Sequence, residues 1–173
     1  AKNLDQAQEH KLDLICKKLK LKKGDKVLEF GGGWGGFAKF AAKRYKANVT
    51  SYNISKEQVE YARENTKGLS VKIVKDDYRN ASGSYDKIVS IGMCEHVGYK
   101  NFRKFYKLQT ELVKKNGIVF THTIGGNKSV TSTDPWIEKY VFPNSMLPSI
   151  KQLSSAFEGL LVLEDWHNFG ANY

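Results

Sequence analysis

The sequence predicts an α/β fold in which a mostly parallel sheet carries helices on both faces. Short apolar runs typical of strands alternate along the chain with stretches whose apolar residues recur at helical spacing. Five glycines occupy the six positions 31–36, between the first strand-like run and the next helical stretch. Because parallel neighbours need a crossover connection, this alternation places helices against both faces of one sheet.

The first part of the chain predicts a leading helix and three strands. The leading helix has four apolar residues at i, i+3, i+4 and i+7, namely Leu12, Ile15, Cys16 and Leu19. Strands are expected at 26–30, 48–52 and 70–74. One helix is expected to run on from the glycines, and another begins after Ser55, which is a favourable N-cap residue.

The second part predicts two more strands, an insertion and a closing pair of elements. Strands are expected at 85–91 and 118–124, separated by a helical stripe from Phe102 to Val113 and a turn at Asn116-Gly117. Residues 125–149 break the alternation and are rich in Gly, Asn, Ser, Thr and Pro, so we expect an insertion there. A helix at 150–157 and a strand at 160–164 follow. A length of 173 residues fits a single domain, 1–173.

Composition narrows the classes of function. The chain has 28 Lys and Arg residues against 18 Asp and Glu, a formal charge of +10. This excess favours a polyanionic partner, either nucleic acid or an anionic lipid surface, unless the lysines only aid solubility. The densest basic cluster, residues 17–26, has no interleaved aromatic residue for base stacking.

Location follows from two further features of the composition. No apolar run is long enough to span a membrane, and we find no secretion signal. Cys16 and Cys94 are far apart in apolar surroundings, so we expect reduced thiols and a cytoplasmic protein.

The glycine run predicts a loop that binds a ligand. Glycine allows a close backbone approach, and the following helix offers unpaired N–H groups at its start. Gly31, Gly33 and Gly36 satisfy G-x-G-x-x-G, which also marks dinucleotide sites. Such sites carry an acidic residue about 20 positions further on, whereas residues 50–55 contain no carboxylate. Asp77 and Tyr78 instead offer a carboxylate and a ring for an adenine.

A second set of polar residues is expected at the same edge of the sheet. Glu95 follows the fourth strand, and His122 and Ile124 alternate at the end of the fifth, where open parallel sheets bind ligands. Two alternatives stay open, a Glu95 that only complements a helix N-terminus and a His122 satisfied in the core. The spacing of the histidines and acidic residues fits no zinc pattern, so no metal is expected.

Several segments resemble the cyclopropane-fatty-acyl-phospholipid synthases, a methyltransferase family that includes mycolic acid cyclopropane synthases. The resemblance runs from about Ala7 to Tyr173. The segments that carry it are Gly31 to Gly36, Ile54 to Gln58, Asp77 to Arg79, Gly92 to Gly98, His122 to Gly125, Asp134 to Ile137, Phe142 to Asn144 and Glu164 to Gly170. It implies a Rossmann-like S-adenosylmethionine-dependent methyltransferase fold, truncated at both ends.

The resemblance also implies a reaction and a site. The family adds a methylene from S-adenosylmethionine to a cis double bond of a phospholipid acyl chain, with bicarbonate as the base. Gly31, Gly32 and Gly33 are then expected near the methionine part of the cofactor. Ser51, Tyr52, Asn53 and Gln58 are expected near its ribose, and Asp77 and Tyr78 near its adenine. Glu95, His122, the backbone of Ile124 and Tyr173 are expected to hold the bicarbonate.

The resemblance implies partners as well. Unsaturated phospholipid at the inner face of the membrane is the expected partner, met by peripheral contact from the cytoplasm, with no nucleic acid. Residues 125–149 are then the lipid-pocket insertion, and four aromatic residues are expected in the core or in pocket walls, namely Trp34, Trp136, Tyr140 and Trp166. A homodimer of the full-length protein stays open.

Two departures from the family and three alternatives remain. Glu29 and Gly32 stand where the family usually has Asp and Cys, and the family's upstream active-site cysteine and C-terminal helices have no counterpart in these residues. The alternatives are a small-molecule C- or O-methyltransferase on the same fold, an inactive cofactor-binding scaffold and a basic nucleic-acid-binding module. Residues 90–93 lack the Asn/Asp-Pro-Pro-Tyr motif that is typical of amino-group methylation in nucleic acids.

Overall fold

A computed structural model describes residues 1–170 of the chain. Its strands are β1 (Lys26–Phe30), β2 (Asn48–Asn53), β3 (Val71–Lys75), β4 (Tyr85–Ile91) and β5 (Val113–His122). Its α-helices are α1 (Leu4–Lys18), α2 (Gly36–Tyr45), α3 (Lys56–Asn65), α4 (Cys94–Val97), α5 (Phe102–Leu112), α6 (Pro135–Tyr140) and α7 (Ile150–Phe157). The five strands are all parallel and lie in the order β3-β2-β1-β4-β5. The predicted mostly parallel sheet is therefore confirmed.

Helices cover both faces of the sheet, as the alternating pattern predicts. On one face, apolar residues of α1 and α2 pack against Val27, Val49 and Val89, and α3 packs against Ile73. On the other face, α5 and α7 pack against Phe30 and Ile88. The sheet is thus buried on both sides, and a ligand can reach it only at the ends of its strands.

Helix α1 brings its first half to the carboxyl ends of the strands. Because α1 leads through a short turn into β1, it runs antiparallel to the sheet. Leu12 of α1 packs in one cluster with Ile91 and Phe120, near the ends of β4 and β5. Lys11, one residue earlier, therefore lies above that edge.

The predicted turn at Asn116-Gly117 is wrong, because these residues lie inside β5. Tyr85 pairs with Val113, whereas Lys87 pairs with Ile118, so β5 accommodates extra residues as a bulge. Asn116 takes φ 65° there. A turn and a bulge need the same permissive residues, and the sequence does not distinguish them.

Substituting Gly117 is expected to destabilise the fold. A Cβ at this position would lie 2.5 Å from Val113 Cγ2 and 2.8 Å from the Asp86 carbonyl oxygen. We expect Gly117→Ala to lower the free energy of unfolding in urea by about 1–3 kcal/mol, as overpacking does. Gly36→Ala is the matched control, because its Cβ would meet nothing within 4 Å. Equal stability of the two variants would contradict the prediction.

The predicted strand at 160–164 is also wrong. The amide groups of Leu160 and Leu161 both donate to the Phe157 carbonyl, which places them in the turn after α7. The following residues belong to no strand, and Val162 is 89% exposed. Ion pairs of Asp165 with Lys18 and of Glu164 with Lys20 tie this segment to α1 and the residues after it. Apolar and β-branched residues alone do not make a strand without a partner edge.

The predicted core position of four aromatic side chains is wrong. All four are exposed, at 54% for Trp34, 62% for Trp136, 62% for Tyr140 and 42% for Trp166. Trp34 contacts Tyr61 edge-on, and Trp136 packs beside Tyr140. The alternative, that they form walls of an acyl pocket, stays a prediction.

Candidate active site

The segments that follow β1, β4 and β5 meet at the carboxyl edge of the sheet. A Cβ on Gly31 would lie 3.0 Å from Met93 Sδ, so the glycine loop (residues 31–36) touches the segment after β4. The Ile124 amide donates to Glu95 Oε1 over 2.7 Å, which joins the segments after β4 and β5. The sequence placed these residues at one edge, and the structure brings Gly31, Glu95 and Ile124 into one site.

The glycine loop has a backbone shape that other residues rarely adopt. Gly31 and Gly33 take φ values of 74° and 51°. The amides of Gly31 and Gly32 both turn inward and donate to the Tyr52 carbonyl, over 3.0 and 3.3 Å. A Cβ on Gly33 would meet nothing within 4 Å. The loop therefore has a fixed underside and an open space above Gly33.

Asn53 connects the glycine loop to α3. Its side-chain amide donates to the Gly33 carbonyl over 3.1 Å and to Gln58 Oε1 over 2.8 Å. Its carbonyl oxygen accepts from the Ser55 amide. Ser55 in turn caps α3 by accepting from the Gln58 amide, as the sequence predicts. Three residues expected at the cofactor thus form one chain of hydrogen bonds beside the open space.

Ser51 and Tyr52 lie underneath the loop. Their side chains are 1% and 9% exposed. Ser51 forms a hydrogen bond with Glu29, and the Tyr52 ring belongs to the core. They support the loop from below, and a direct ribose contact of their side chains stays a prediction.

Glu29 carries a buried carboxyl group directly below the loop. It is 3% exposed, and its Oε2 atom has no hydrogen-bond partner among residues 1–170. Burial raises the pKa of Glu29 to about 7, opposed by the hydrogen bond with Ser51. Glu29, which stands where the family usually has Asp, therefore places a carboxyl group with a raised pKa beneath the glycine loop.

Asp77 and Tyr78 are already engaged by neighbouring residues. The Arg79 side chain and amide both donate to Asp77 Oδ1 over 2.9 Å, and the Arg79 guanidinium lowers the pKa of Asp77. The Tyr78 ring packs against Phe30 and Phe105, with centroids 5.2 and 5.7 Å away. Their place beside an adenine stays a prediction.

Glu95 is the most constrained acidic residue of the edge. It is 7% exposed and lies in α4, and its carbonyl accepts from the Met146 amide over 2.9 Å. Oε1 accepts from Ile124, while Oε2 is buried and accepts no hydrogen bond from any residue in 1–170. The Ile124 amide is thus occupied by Glu95, and the Ile124 carbonyl accepts from the Thr123 hydroxyl over 3.1 Å, so a bicarbonate contact of the Ile124 backbone stays a prediction. The unpaired Glu95 Oε2 can therefore accept a hydrogen bond from a donor outside residues 1–170, such as water or a ligand.

His122 and Lys11 form the basic side of the edge. Burial first, and the Lys11 charge second, lower the pKa of His122, while Glu95 opposes them. Burial also lowers the pKa of Lys11 itself. Lys11 lies four residues before Ile15 and so on the apolar stripe of α1, a position for a charged residue that is the one sequence signal for it.

The described part of the chain supports neither a cysteine nucleophile nor a metal site. Cys94 is fully buried next to Glu95, and burial raises the pKa of its thiol to about 12, so it is no thiolate nucleophile. Within residues 1–170, no three His, Cys, Asp or Glu side chains are grouped to hold a metal ion. Tyr173, expected in the anion pocket, lies outside the described residues.

Comparison with known proteins identifies similar chains. A family model described as mycolic acid cyclopropane synthetase matches residues 1–173. The cyclopropane-fatty-acyl-phospholipid synthase of Escherichia coli (strain K12) is 47% identical over 173 residues, which are 100% of this chain and 45% of that protein. The chain therefore spans a little under half of this curated relative.

Solved structures show the same fold. The cyclopropane synthase MmaA2 from Mycobacterium tuberculosis superposes with a TM-score of 0.83 at 25% identity, over 91% of this chain and 61% of that one. The mycolic acid cyclopropane synthase CmaA1, complexed with SAH and CTAB, superposes with a TM-score of 0.81 at 26% identity, over the same shares of 91% and 61%. The Rossmann-like methyltransferase fold is confirmed.

Proposed function

Because the chain belongs to the mycolic acid cyclopropane synthetase family, we propose that it is the cofactor-binding core of a lipid-modifying enzyme. The reaction is transfer of a methylene from S-adenosylmethionine to the cis double bond of an unsaturated acyl chain in a membrane phospholipid. The observation that carries this proposal is the buried carboxyl group of Glu95, with one oxygen unpaired within residues 1–170, two residues after the Met93 side chain that borders Gly31. The 47% identity with a cyclopropane-fatty-acyl-phospholipid synthase supports the choice of substrate.

The glycine loop fits S-adenosylmethionine. The space above Gly33 is open, and the chain from Gly33 through Asn53 to Gln58 presents amide groups beside it. Gly31, Gly32 and Gly33 would hold the methionine part, and Asn53 with Gln58 the ribose. The bound cofactor supplies an electrophilic methyl group. Dinucleotide sites have an acidic residue about 20 positions after the glycines, which binds the ribose. Residues 50–55 contain no carboxylate, so the loop differs from a dinucleotide site.

The Glu95 pocket fits bicarbonate. Glu95 Oε2 is a buried acceptor that lacks a donor within residues 1–170, and bicarbonate has one O–H group to donate. Its negative charge would be balanced by Lys11, whose charge reaches His122 at the same edge. A carboxylate would repel an anion that has no proton to offer, so the unpaired Glu95 oxygen favours an anion with an O–H group, which bicarbonate has.

The chain's own residues then have separate roles. The glycine loop positions the methyl donor, because an alkene is a weak nucleophile and needs close approach more than activation. Buried Cys94 and half-buried Met93 keep water away from the space between the loop and Glu95. Glu95 would hold bicarbonate by accepting a hydrogen bond from its O–H group, and the ion would supply there a base for the proton that the transferred carbon loses when the ring closes.

The insertion fits contact with a membrane surface. Trp136, Tyr140 and Phe142 are exposed there, and Lys139 lies 5.0 Å over the Tyr140 ring. Aromatic residues of this kind prefer the membrane–water interface, and lysines are attracted to anionic lipid. Among residues 1–170, no helix has the length and apolar character to cross a bilayer. A cytoplasmic protein at the inner face of the membrane is therefore part of the proposal.

The proposal is tested with the intact protein, labelled S-adenosylmethionine and phosphatidylglycerol vesicles. Vesicles with cis-unsaturated chains are expected to gain label and lose double bonds, and vesicles with saturated chains are the control. Sedimentation should recover the protein with anionic vesicles more than with zwitterionic ones. Removing bicarbonate should slow the reaction, and adding it back should restore the rate.

Two results would contradict the proposal. If the protein binds the cofactor but unsaturated lipid gains no label, the protein is an inactive cofactor-binding scaffold. Transfer of label to small soluble acceptors instead of lipid would identify a small-molecule methyltransferase on the same fold.

A further inference from the structure

Gly32 is enclosed by two side chains from the strands below it. A Cβ at position 32 would lie 1.9 Å from Ser51 Oγ and 2.8 Å from Glu29 Oε2. Gly32 has no positive φ, so its backbone does not itself require glycine. The requirement comes from the space, which Glu29 and Ser51 already fill.

We propose that Glu29 and Gly32 form a size-matched pair that sets the shape of the cofactor loop. The Ser51 hydroxyl, which Glu29 holds by a hydrogen bond, and the Glu29 carboxyl group together occupy the volume that a side chain at position 32 would need. This inference rests on the proposed function, since it takes the glycine loop as the cofactor site. Glu29 is a positioning residue, because its buried Oε2 faces the underside of the loop and not the open space above Gly33.

The pair acts through the anchoring of the loop. The amides of Gly31 and Gly32 both donate to the Tyr52 carbonyl of β2, and Ser51 on the same strand is bound to Glu29. A side chain at position 32 would push the loop away from β2 and stretch these hydrogen bonds. A shorter acid at position 29 would leave a void under the loop and release Ser51, which removes support from below.

The two positions should therefore compensate each other. With Asp at position 29 the carboxylate withdraws by one methylene, and the Ser51 hydroxyl, no longer held, is free to rotate. The vacated volume then accepts a methyl group at position 32. Each single change disturbs the loop, whereas the double change restores its contacts.

The test is a double-mutant cycle in the intact protein. S-adenosylmethionine binding is measured by calorimetry for wild type, Glu29→Asp, Gly32→Ala and the double variant. We expect each single variant to bind about tenfold more weakly and the double variant to return to within about threefold of wild type. KM for the cofactor should follow the same order, with kcat at saturating cofactor changing much less. Glu111→Asp shortens an exposed carboxylate in α5 and is the matched control.

The outcomes separate the inference from the proposed function. If the losses of cofactor affinity in the two single variants multiply in the double variant, the inference is wrong. It is also wrong if the variants change in thermal stability but not in cofactor affinity. If Gly32→Ala alone does not fold, the comparison of Glu29→Asp with the double variant decides, because the added methyl group must then strengthen binding. A wild-type protein that does not bind S-adenosylmethionine would overturn the proposed function itself.

Discussion

Glu95→Gln is expected to lower kcat by about 100- to 1000-fold while leaving the affinity for S-adenosylmethionine unchanged. The glutamine carbonyl can still accept from the Ile124 amide, so the contact of 2.7 Å is kept. The change falls on the other atom, where an amide that donates replaces the acceptor Oε2. Rates are measured under saturating cofactor with unsaturated vesicles.

Stability distinguishes this loss of rate from a structural effect. A buried carboxylate with one unsatisfied oxygen is unfavourable, so Glu95→Gln should unfold at the same temperature as wild type or higher. Glu111→Gln, at an exposed position of α5, serves as the control for both measurements. If Glu95→Gln reacts at the wild-type rate, Glu95 has no role in the reaction.

Glu29→Gln is expected to remove a pH dependence of stability. The pKa of Glu29 is about 7 in the folded protein against 4.5 in the unfolded chain. Because the folded state holds the proton longer, the stability from this group is complete below pH 4.5 and is lost as pH rises to about 7. This loss lowers the free energy of unfolding by about 3 kcal/mol.

Urea unfolding at pH 4.5 and pH 7.5 tests this value. From pH 4.5 to pH 7.5, the free energy of unfolding of wild type should fall by about 3 kcal/mol more than that of Glu29→Gln. All other titrating groups are common to both proteins, so they cancel in this comparison. Glu111→Gln should follow wild type. Parallel pH profiles of wild type and Glu29→Gln would show that the Glu29 carboxyl ionises normally in the folded state.

Local chemistry explains which elements the sequence predicts well. Ser55 caps α3 because its hydroxyl reaches an amide three residues away, and no distant contact is needed. The first four strands were expected to within one residue at each end, whereas β5 begins at Val113, five residues before its expected start, because its bulge extends the pairing with β4. Glu95 and Ile124 were placed together by topology alone, since the ends of neighbouring parallel strands share one edge.

Contacts between distant residues explain what the sequence does not predict. Lys11 approaches His122 only because α1 runs antiparallel to the sheet, and nothing local marks that lysine among the many others. The strand expected at 160–164 has the right residues but no partner. The link between Glu29 and Gly32 required coordinates, because the overlap involves Ser51 from a second strand.

The hydrogen bond from the Met146 amide to the Glu95 carbonyl connects residues 125–149 directly to the candidate active site. Met146 is 3% exposed, so it is a fixed point, while the aromatic residues before it face solvent. Under the proposed function, an acyl chain that displaces those outer residues would load the backbone at Glu95, and lipid binding would thereby be coupled to the position of this carboxyl group.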